Sequence, residues 1–504
     1  MTNPLWSSPS PRGLRGVHAS RAIPAPVWYV VAFLGVSYYA IVREADPWFW
    51  SFVILYWVFV GAFLYCYSRV QPFDIFSPVI GLTVLLFLYS LASALFVEAT
   101  GIIWIGDPIS PTGLRIYYVC CLAGLAGLTT GALLGSSSGR TPSAQNVERR
   151  RFRRVPPNPA FKKKLIFWSV SLGAVFAVYV VPQFNFLHVA AYSERAFALR
   201  VELAADTASG PKVIFLSRLP ATLILCAATL VMLTGRRRAI KALGLCVFSA
   251  YVVANTLAGW RGAVVTAGLI PVVYYHYRIK PLSVRAAIVG GISLYFFVNA
   301  VALVRVSSNP SEVVRLFREN VSSNGLAFAR LTSSGELMVG GNLMRLIDGI
   351  RAKETGFTYG RSLIDGLLVF VPRSLYRDRP QALSERFVEV FYPGMLESGG
   401  GRGLFILQDG YWDFGIPGVF LFMFVYGWVV QKVYLFFMAR LSNDLAVFCY
   451  SAVYGSLVMG AVRTGIITSM KAALTNTLPF IILWLLIKVR TPALSPASTA
   501  GGNE

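Results

Sequence analysis

Long apolar runs recur along this chain and restrict it to a fold built from membrane-spanning helices. A helix needs about 20 apolar residues to cross a bilayer. Runs near this length occur about twelve times, at 26–42, 48–68, 75–97, 114–135, 165–183, 213–234, 242–259, 262–277, 285–304, 414–432, 444–462 and 472–488. Because 56% of the 504 residues are hydrophobic and only 14% are charged, we predict an all-α polytopic membrane protein.

The positions of the basic residues predict the orientation of these helices. The formal net charge is +23, but Lys and Arg cluster in short segments between apolar runs, such as 149–154 and 236–241. Retention of such segments on the cytoplasmic side accounts for them better than nucleic-acid binding does. Both termini are therefore predicted to be cytoplasmic, and no nucleic-acid partner is expected.

This register divides the chain into segments of different character. A basic N-terminal segment precedes nine spans, and three further spans follow a large outer loop. We predict the following segments: cytoplasmic 1–25, transmembrane 26–304 with an inner basic linker 136–164 and an outer loop 184–212, a large outer loop 305–413, transmembrane 414–488, and a disordered cytoplasmic tail 489–504. Within the large loop, 333–351 has the pattern of an amphipathic interfacial helix. The run 363–371 is too short to span, and is predicted to be re-entrant or packed on the membrane domain.

The large outer loop has an unusual choice of basic residue. It contains twelve Arg and a single Lys, Lys353. Arg offers a planar fork of donors that fits phosphate in bidentate fashion, whereas Lys is a point charge on a flexible stem. The loop therefore suggests a site for a phosphate-bearing substrate in the membrane. The alternative is a solvated face, because the same segment holds twelve Asp and Glu that could pair with these Arg.

Several other Arg lie where a span is predicted to meet the outer surface. Arg195 and Arg200 lie in the 184–212 loop, Arg261 lies in the tight turn Gly259-Trp260-Arg261-Gly262, and Arg463 ends the eleventh span. Ionisable residues at such depth are candidates for function. The alternatives are ordinary snorkelling at helix ends and capping of a tight hairpin.

Two motifs in the large loop hold the remaining candidates. Pro372–Pro380 presents Arg373 and Arg377 on a segment that its two Pro keep from being helical. The Gly-rich stretch from Gly399 to Gly418 contains Asp409 and Asp413, four positions apart.

Tyr411 and Trp412 lie between these two Asp. Aromatic rings can stack on sugars, although at a membrane interface they more often anchor a helix. The chain has three His, no P-loop and no metal-ligand motif, so neither a metal nor a cofactor is expected.

Together these motifs resemble the bacterial O-antigen polymerases, the Wzy-type oligosaccharide repeat-unit polymerases. The residues that carry the resemblance are Gly259-Trp260-Arg261-Gly262, the Pro372–Pro380 segment and the Gly399–Gly418 stretch. Two departures are Asp409, where the family often has Glu, and Asp413, where Asn is common.

The resemblance implies a membrane glycosyltransferase with a GT-C-like architecture in the bacterial inner membrane. It would join undecaprenyl-diphosphate-linked oligosaccharides at the periplasmic face by inverting, metal-independent transfer. A chain-length regulator is a partner with which the family normally works. The implied diphosphate-binding residues are Arg195, Arg200, Arg261, Arg373, Arg377 and Arg463; Arg261 is also assigned to catalysis, Asp409 is the implied base, His188 the alternative base, and Tyr411 and Trp412 the sugar-binding residues.

Two other functions compete with the polymerase. An O-antigen ligase of the same superfamily normally has a His in its late large loop, and 305–413 contains none. A lipid-linked oligosaccharide flippase or other transporter would hold its charges within the spans and have short loops. Here the spans are nearly free of charge and one loop is long, so both features favour the polymerase.

Overall fold

The computed structural model describes residues 46–71, 73–103, 107–137, 159–180, 210–257, 261–306, 338–368, 371, 376, 380–397 and 402–489. Within these ranges the regular structure is helical, and β-pairing is limited to the isolated bridges Ile102–Pro108 and Leu404–Thr464. From Ser51 onward, the described residues belong to one compact unit. The all-α prediction is confirmed for the described part of the chain.

The helices are numbered in chain order. They are α1 Pro47–Val70, α2 Pro78–Thr100, α3 Pro111–Ser137, α4 Pro159–Val180, α5 Gly210–Thr234, α6 Arg238–Leu257, α7 Arg261–Arg278, α8 Val284–Val306, α9 Gly340–Arg351, α10 Arg361–Leu368, α11 Leu383–Phe391, α12 Pro393–Glu397, α13 Gln408–Met438, α14 Asp444–Gly455, α15 Ala461–Thr464 and α16 Ile466–Val489. A π-helical turn, Ser456–Gly460, joins α14 to α15.

Six stretches of the described residues are long and apolar enough to cross a membrane. They are Pro47–Val70, Pro78–Glu98, Pro111–Ser137, Gln408–Met438, Asp444–Thr464 and Ile466–Leu485. Every predicted run from 48–68 onward overlaps a helix, whereas 26–42 lies outside the described residues. The protein is therefore a multi-pass membrane protein, and the larger number of about twelve spans stays a prediction.

The close packing of α3 against α13 forms the centre of the described structure. Small residues allow this approach, because a Cβ atom on Gly127 or Gly131 would collide with backbone atoms of Phe420 and Phe424. On α13, a Cβ built on Gly427 would likewise collide with the backbone of Leu128 in α3. Helices inside a bilayer gain little from hydrophobic burial and associate through such close contacts.

The helices of the large loop gather where α2 ends and α3 and α13 begin, which we call the loop end. Helix α9 packs there against α2 and α3. Its apolar residues Leu343, Met344, Leu346 and Ile347 are fully buried. The predicted interfacial helix 333–351 is therefore corrected. It begins at Gly340 and its apolar face is covered by protein, because neighbouring helices supply the surface that a bilayer would otherwise provide.

Candidate active site

The site begins with a sharp break near the start of α13. Phe414 and Gly415 depart from helical geometry, with Gly415 at φ +66. The first turns of α13 fold back so closely that a Cβ on Gly410 would lie 2.5 Å from the carbonyl oxygen of Gly418. Glycine is therefore needed here for two physical reasons. Gly415 adopts a left-handed conformation, and Gly410 and Gly418 allow two backbone segments to touch.

The break exposes backbone and side-chain acceptors that hold the start of α10. The carbonyl oxygens of Trp412 and Asp413 accept hydrogen bonds from the N–H groups of Thr358, at 2.9 Å, and Tyr359, at 3.2 Å. The fully buried Asp413 carboxylate accepts from the hydroxyls of Thr358 and Ser362, and from the Ser362 N–H at 3.3 Å. Asp413 therefore caps the N-terminus of α10, a helix that lies far away in sequence.

Asp409 performs the same task for α16. Its carboxylate is 2% exposed and accepts a 2.7 Å hydrogen bond from the Ile466 N–H, at the first residue of α16. Gly465 has φ +82, and a Cβ there would lie 2.7 Å from Asp409 Oδ1. A carboxylate at a helix N-terminus satisfies orphan N–H groups and is favoured by the helix dipole.

A short extended segment brings two Arg of the loop end together. Leu404 forms a parallel bridge with Thr464, and the Ile406 N–H donates to the Val462 carbonyl at 3.3 Å. Through this pairing Gly403 lies directly against Arg463, with 3.5 Å between a Cβ built on Gly403 and Arg463 Cγ. Arg402, the residue before Gly403, is thereby held next to α15, the short helix that contains Arg463.

Arg402 is a half-buried cation whose partners leave part of the guanidinium unpaired. Its Cζ lies 3.8 Å from the ring centroid of Tyr392, and its Nη1 lies 3.5 Å from Asn342 Oδ1. Asn342 in turn donates to the Gly403 carbonyl at 2.7 Å. The buried Arg402 Nε has no hydrogen-bond partner among the described residues. Burial lowers the pKa of Arg402, while Tyr392 and Asp107 oppose that shift.

Arg345, by contrast, is already engaged by acidic neighbours. Its Nη2 donates to Glu354 at 2.6 Å, and its Nε lies 3.7 Å from Asp107. Burial alone would lower the pKa of Arg345, but the hydrogen bond to Glu354 and its charge raise it. These residues line an open cleft of about 260 Å³ together with Asp348. The cleft is acidic, so among the described Arg of the loop end, Arg402 is better suited than Arg345 to receive an anion.

Comparison with protein-family models gives one match that covers nearly the whole chain. Residues 25–493 match the model described as O-antigen polysaccharide polymerase Wzy. The chain belongs to this family. Searches of curated proteins and of solved structures give no significant match. The Wzy membership confirms the resemblance inferred from the motifs, and makes the chain a membrane protein of polysaccharide biosynthesis that acts on lipid-linked repeat units.

The structure describes some of the predicted site residues and not others. His188, Arg195, Arg200, Arg373 and Arg377 lie outside the described residues. Arg261 is the first residue of α7, and only its backbone is described. Arg463 lies in α15, and Asp409 binds the start of α16 directly after it, so both residues lie at the α15–α16 junction. Their roles in this Wzy protein stay predictions.

Tyr411 and Trp412, predicted to bind sugar, lie in the core of the loop end. Trp412 is fully buried, with ring centroids of Phe387 and Phe391 at 6.2 and 6.5 Å. Tyr411 is also buried and packs beside Phe357. Both rings are thus covered by other described residues, and their role in sugar binding stays a prediction.

Sequence reasoning left out Arg402 and Asn342. The Gly401-Arg402-Gly403 triplet was visible as a sequence signal, since glycines beside an Arg permit close approach of a ligand. The pairing with Asn342 depends on tertiary contact across the loop end and has no local signature. Among the described residues, His, Cys, Asp and Glu form no cluster of three or more that could hold a metal.

Proposed function

We propose that this protein joins lipid-diphosphate-linked oligosaccharide repeat units into O-antigen or a related exopolysaccharide. The match to the Wzy family over residues 25–493 is the observation that carries the proposal. The loop end supports it, because it gathers Arg402, Arg463 and the buried Asp409 beside the ends of spanning helices. A lipid-linked substrate with its diphosphate at the membrane surface would meet the protein at this depth.

The loop end is proposed to face the periplasm of a bacterial inner membrane. The basic segments 149–154 and 236–241 would then be retained in the cytoplasm, together with both termini.

The reaction we propose is an inverting glycosyl transfer without a metal ion. The acceptor hydroxyl oxygen forms a bond to the anomeric carbon of the donor sugar. The bond from that carbon to the diphosphate oxygen breaks, and the diphosphate leaves with the electron pair. The hydroxyl proton passes to a base, for which Asp409 and His188 are the candidates from sequence. Negative charge builds on the leaving diphosphate, and preorganised cations lower that barrier.

Arg402 and Arg463 are the described residues that we assign to the diphosphate. The buried Nε of Arg402 has no hydrogen-bond partner among the described residues, and burial lowers the pKa of its guanidinium, a cost that a bound anion would offset. Arg261, Arg373, Arg377, Arg195 and Arg200 are proposed to complete the site. Asp409 would act here as a positioning residue, because its carboxylate fixes the turn that carries Arg463.

The test uses purified protein in proteoliposomes with a synthetic undecaprenyl-diphosphate oligosaccharide and EDTA. We expect wild type to give a ladder of products on a gel. Arg402→Ala and Arg463→Ala should lower the rate by about 10²-fold, the usual loss for one charge-stabilising donor. Arg440→Ala, an exposed Arg after α13 at the opposite end of the helices, should retain the wild-type rate. Unchanged lipid from wild type would refute the polymerase, and equal rates for all variants would refute the assigned Arg.

A further inference from the structure

Helix α10 exposes apolar side chains although it is too short to cross a membrane. Leu363, Ile364 and Leu367 are 40%, 61% and 58% exposed. Eight residues span about 12 Å, well short of the hydrocarbon core. Its polar residue Ser362 points inward to Asp413 instead. This distribution is the reverse of a helix that faces water.

Two contacts fix the depth of α10 relative to the spanning helices. Its first turn is bound to Asp413, at the break near the start of α13. Its centre packs on the first turn of α16, because a Cβ on Gly366 would meet Ile467 side-chain atoms, Cγ2 at 2.9 Å among them. Helix α10 therefore lies at the level where two membrane spans begin.

The two spans that α10 contacts also expose apolar side chains. Phe414, at the α13 break, is 44% exposed, and Leu474, two turns into α16, is 58% exposed. The charged residues of α10 are Arg361 and Asp365, whose side chains lie 3.7 Å apart. The Arg361 side chain is mostly exposed. An apolar face with a cation at one end is the pattern of a helix that lies in the membrane interface.

We propose that α10 is an interfacial anchor, with Leu363, Ile364 and Leu367 inserted among the acyl chains of the leaflet at the loop end. The occupant of this surface is the phospholipid bilayer. The exposed apolar side chains on α13 and α16, the two spans that α10 contacts, support this choice over a protein partner. This inference depends on membrane insertion and not on the proposed polymerase activity.

The test measures the depth of α10 with a fluorophore and brominated lipids. In a background where the exposed Cys66 and Cys246 are replaced by Ser, Ile364→Cys is labelled with NBD and reconstituted into phosphatidylcholine vesicles. Leu474→Cys serves as the lipid-facing reference, and Glu389→Cys, exposed on α11, serves as the water-facing control. Leu367→Cys repeats the measurement in case one label disturbs folding.

We expect acyl-chain bromine to quench the labels at 364 and 367 to at least half the extent seen at 474. The label at 389 should lose less than a fifth of its fluorescence. Quenching at 364 and 367 no greater than at 389 would overturn the proposal. Cross-linking of the 364 cysteine to a second copy of the chain without lipid quenching would also overturn it, and would assign the surface to self-association.

Discussion

The Asp409 carboxylate accepts its 2.7 Å hydrogen bond from the backbone N–H of Ile466, a residue 57 positions later in the chain. This contact joins the Gly-rich entry of α13 to the turn that holds Arg463. Asp409 therefore has a structural role as a helix cap, in addition to the role of base that the family resemblance implies. The two tasks predict different behaviour for conservative variants.

We expect Asp409→Asn to retain thermal stability, because Asn caps a helix N-terminus about as well as Asp, and to retain most activity if the carboxylate is only a cap. Asp409→Ala should lose roughly 0.5–2 kcal/mol of stability, the usual cost of a lost cap. Thermal unfolding in detergent and the polymer ladder are the two measurements. If Asp409→Asn is stable but at least about 10²-fold slower, the carboxylate is the base and not only a cap.

The neighbouring Asp413 should control whether the start of α10 stays attached to α13. Asp413→Ala removes the acceptor for the Thr358 and Ser362 hydroxyls and for the Ser362 N–H. The Thr358 hydroxyl can still donate to the Trp412 carbonyl at 3.2 Å, but the Ser362 hydroxyl and N–H lose this acceptor, and each buried donor left unpaired costs about 1–3 kcal/mol. Limited trypsin digestion should therefore cleave after Arg361 faster in this variant than in wild type.

Asp365→Ala is the matched control for that digestion. Asp365 makes only a 3.7 Å ion pair with the exposed Arg361, and such pairs contribute about 0–1 kcal/mol. The control should digest at the wild-type rate. Equal protection of Asp413→Ala and wild type would contradict a capping role for Asp413.

The sequence predicted the helices of this fold well, because the signal for a spanning helix is local. Apolar runs such as 48–68 and 114–135 each coincide with a helix of the structure. Local composition is enough for features of this kind. The break near the start of α13 was not predicted, because the apolar run 414–432 reads as one span although it begins at Phe414 and Gly415, where the helix is interrupted.

The candidate site was less predictable, since its contacts join residues far apart in sequence. Asp409 and Asp413 lie only four positions apart in the sequence, yet they cap two different helices, α16 and α10. Trp is a residue type that often anchors a helix at the membrane interface, but Trp412 is enclosed by Phe387 and Phe391 of α11. Only the tertiary packing decides between these possibilities.

A buried polar network at the end opposite the loop end supplies a third prediction. Asp74 accepts hydrogen bonds from Tyr277 and Tyr434, each at 2.7 Å, and from the Phe76 N–H at 3.0 Å. Asp74→Ala should lower the thermal midpoint strongly, because buried donors are left unpaired at about 1–3 kcal/mol each.

Asp74→Asn tests whether hydrogen-bond acceptance, rather than charge, is what the network needs. Its remaining carbonyl oxygen can accept from the tyrosines, so we expect a smaller loss than for Asp74→Ala. His276 Nε2 lies 3.5 Å from Asp74, and removal of the charge should affect that contact most. Equal midpoints for wild type and Asp74→Ala would show that the network contributes little to stability.

The packing of α3 on α13 predicts that Gly131 tolerates no side chain. A Cβ there would collide with the Phe424 carbonyl and approach the Trp428 backbone nitrogen to 3.0 Å. Backbone atoms of a packed helix cannot move aside as a flexible side chain can, so Gly131→Leu should force the two helices apart. Gly290→Leu is the matched control, because no described atom lies within 4 Å of a Cβ built on Gly290 in α8. It replaces Gly by a better helix former, which contributes roughly 0.5–1 kcal/mol to helix stability.

Thermal unfolding and gel filtration in detergent should give a lower midpoint or aggregation for Gly131→Leu and an unchanged or higher midpoint for Gly290→Leu. Identical behaviour of the two variants would mean that close approach of α3 and α13 is not what holds the described core together.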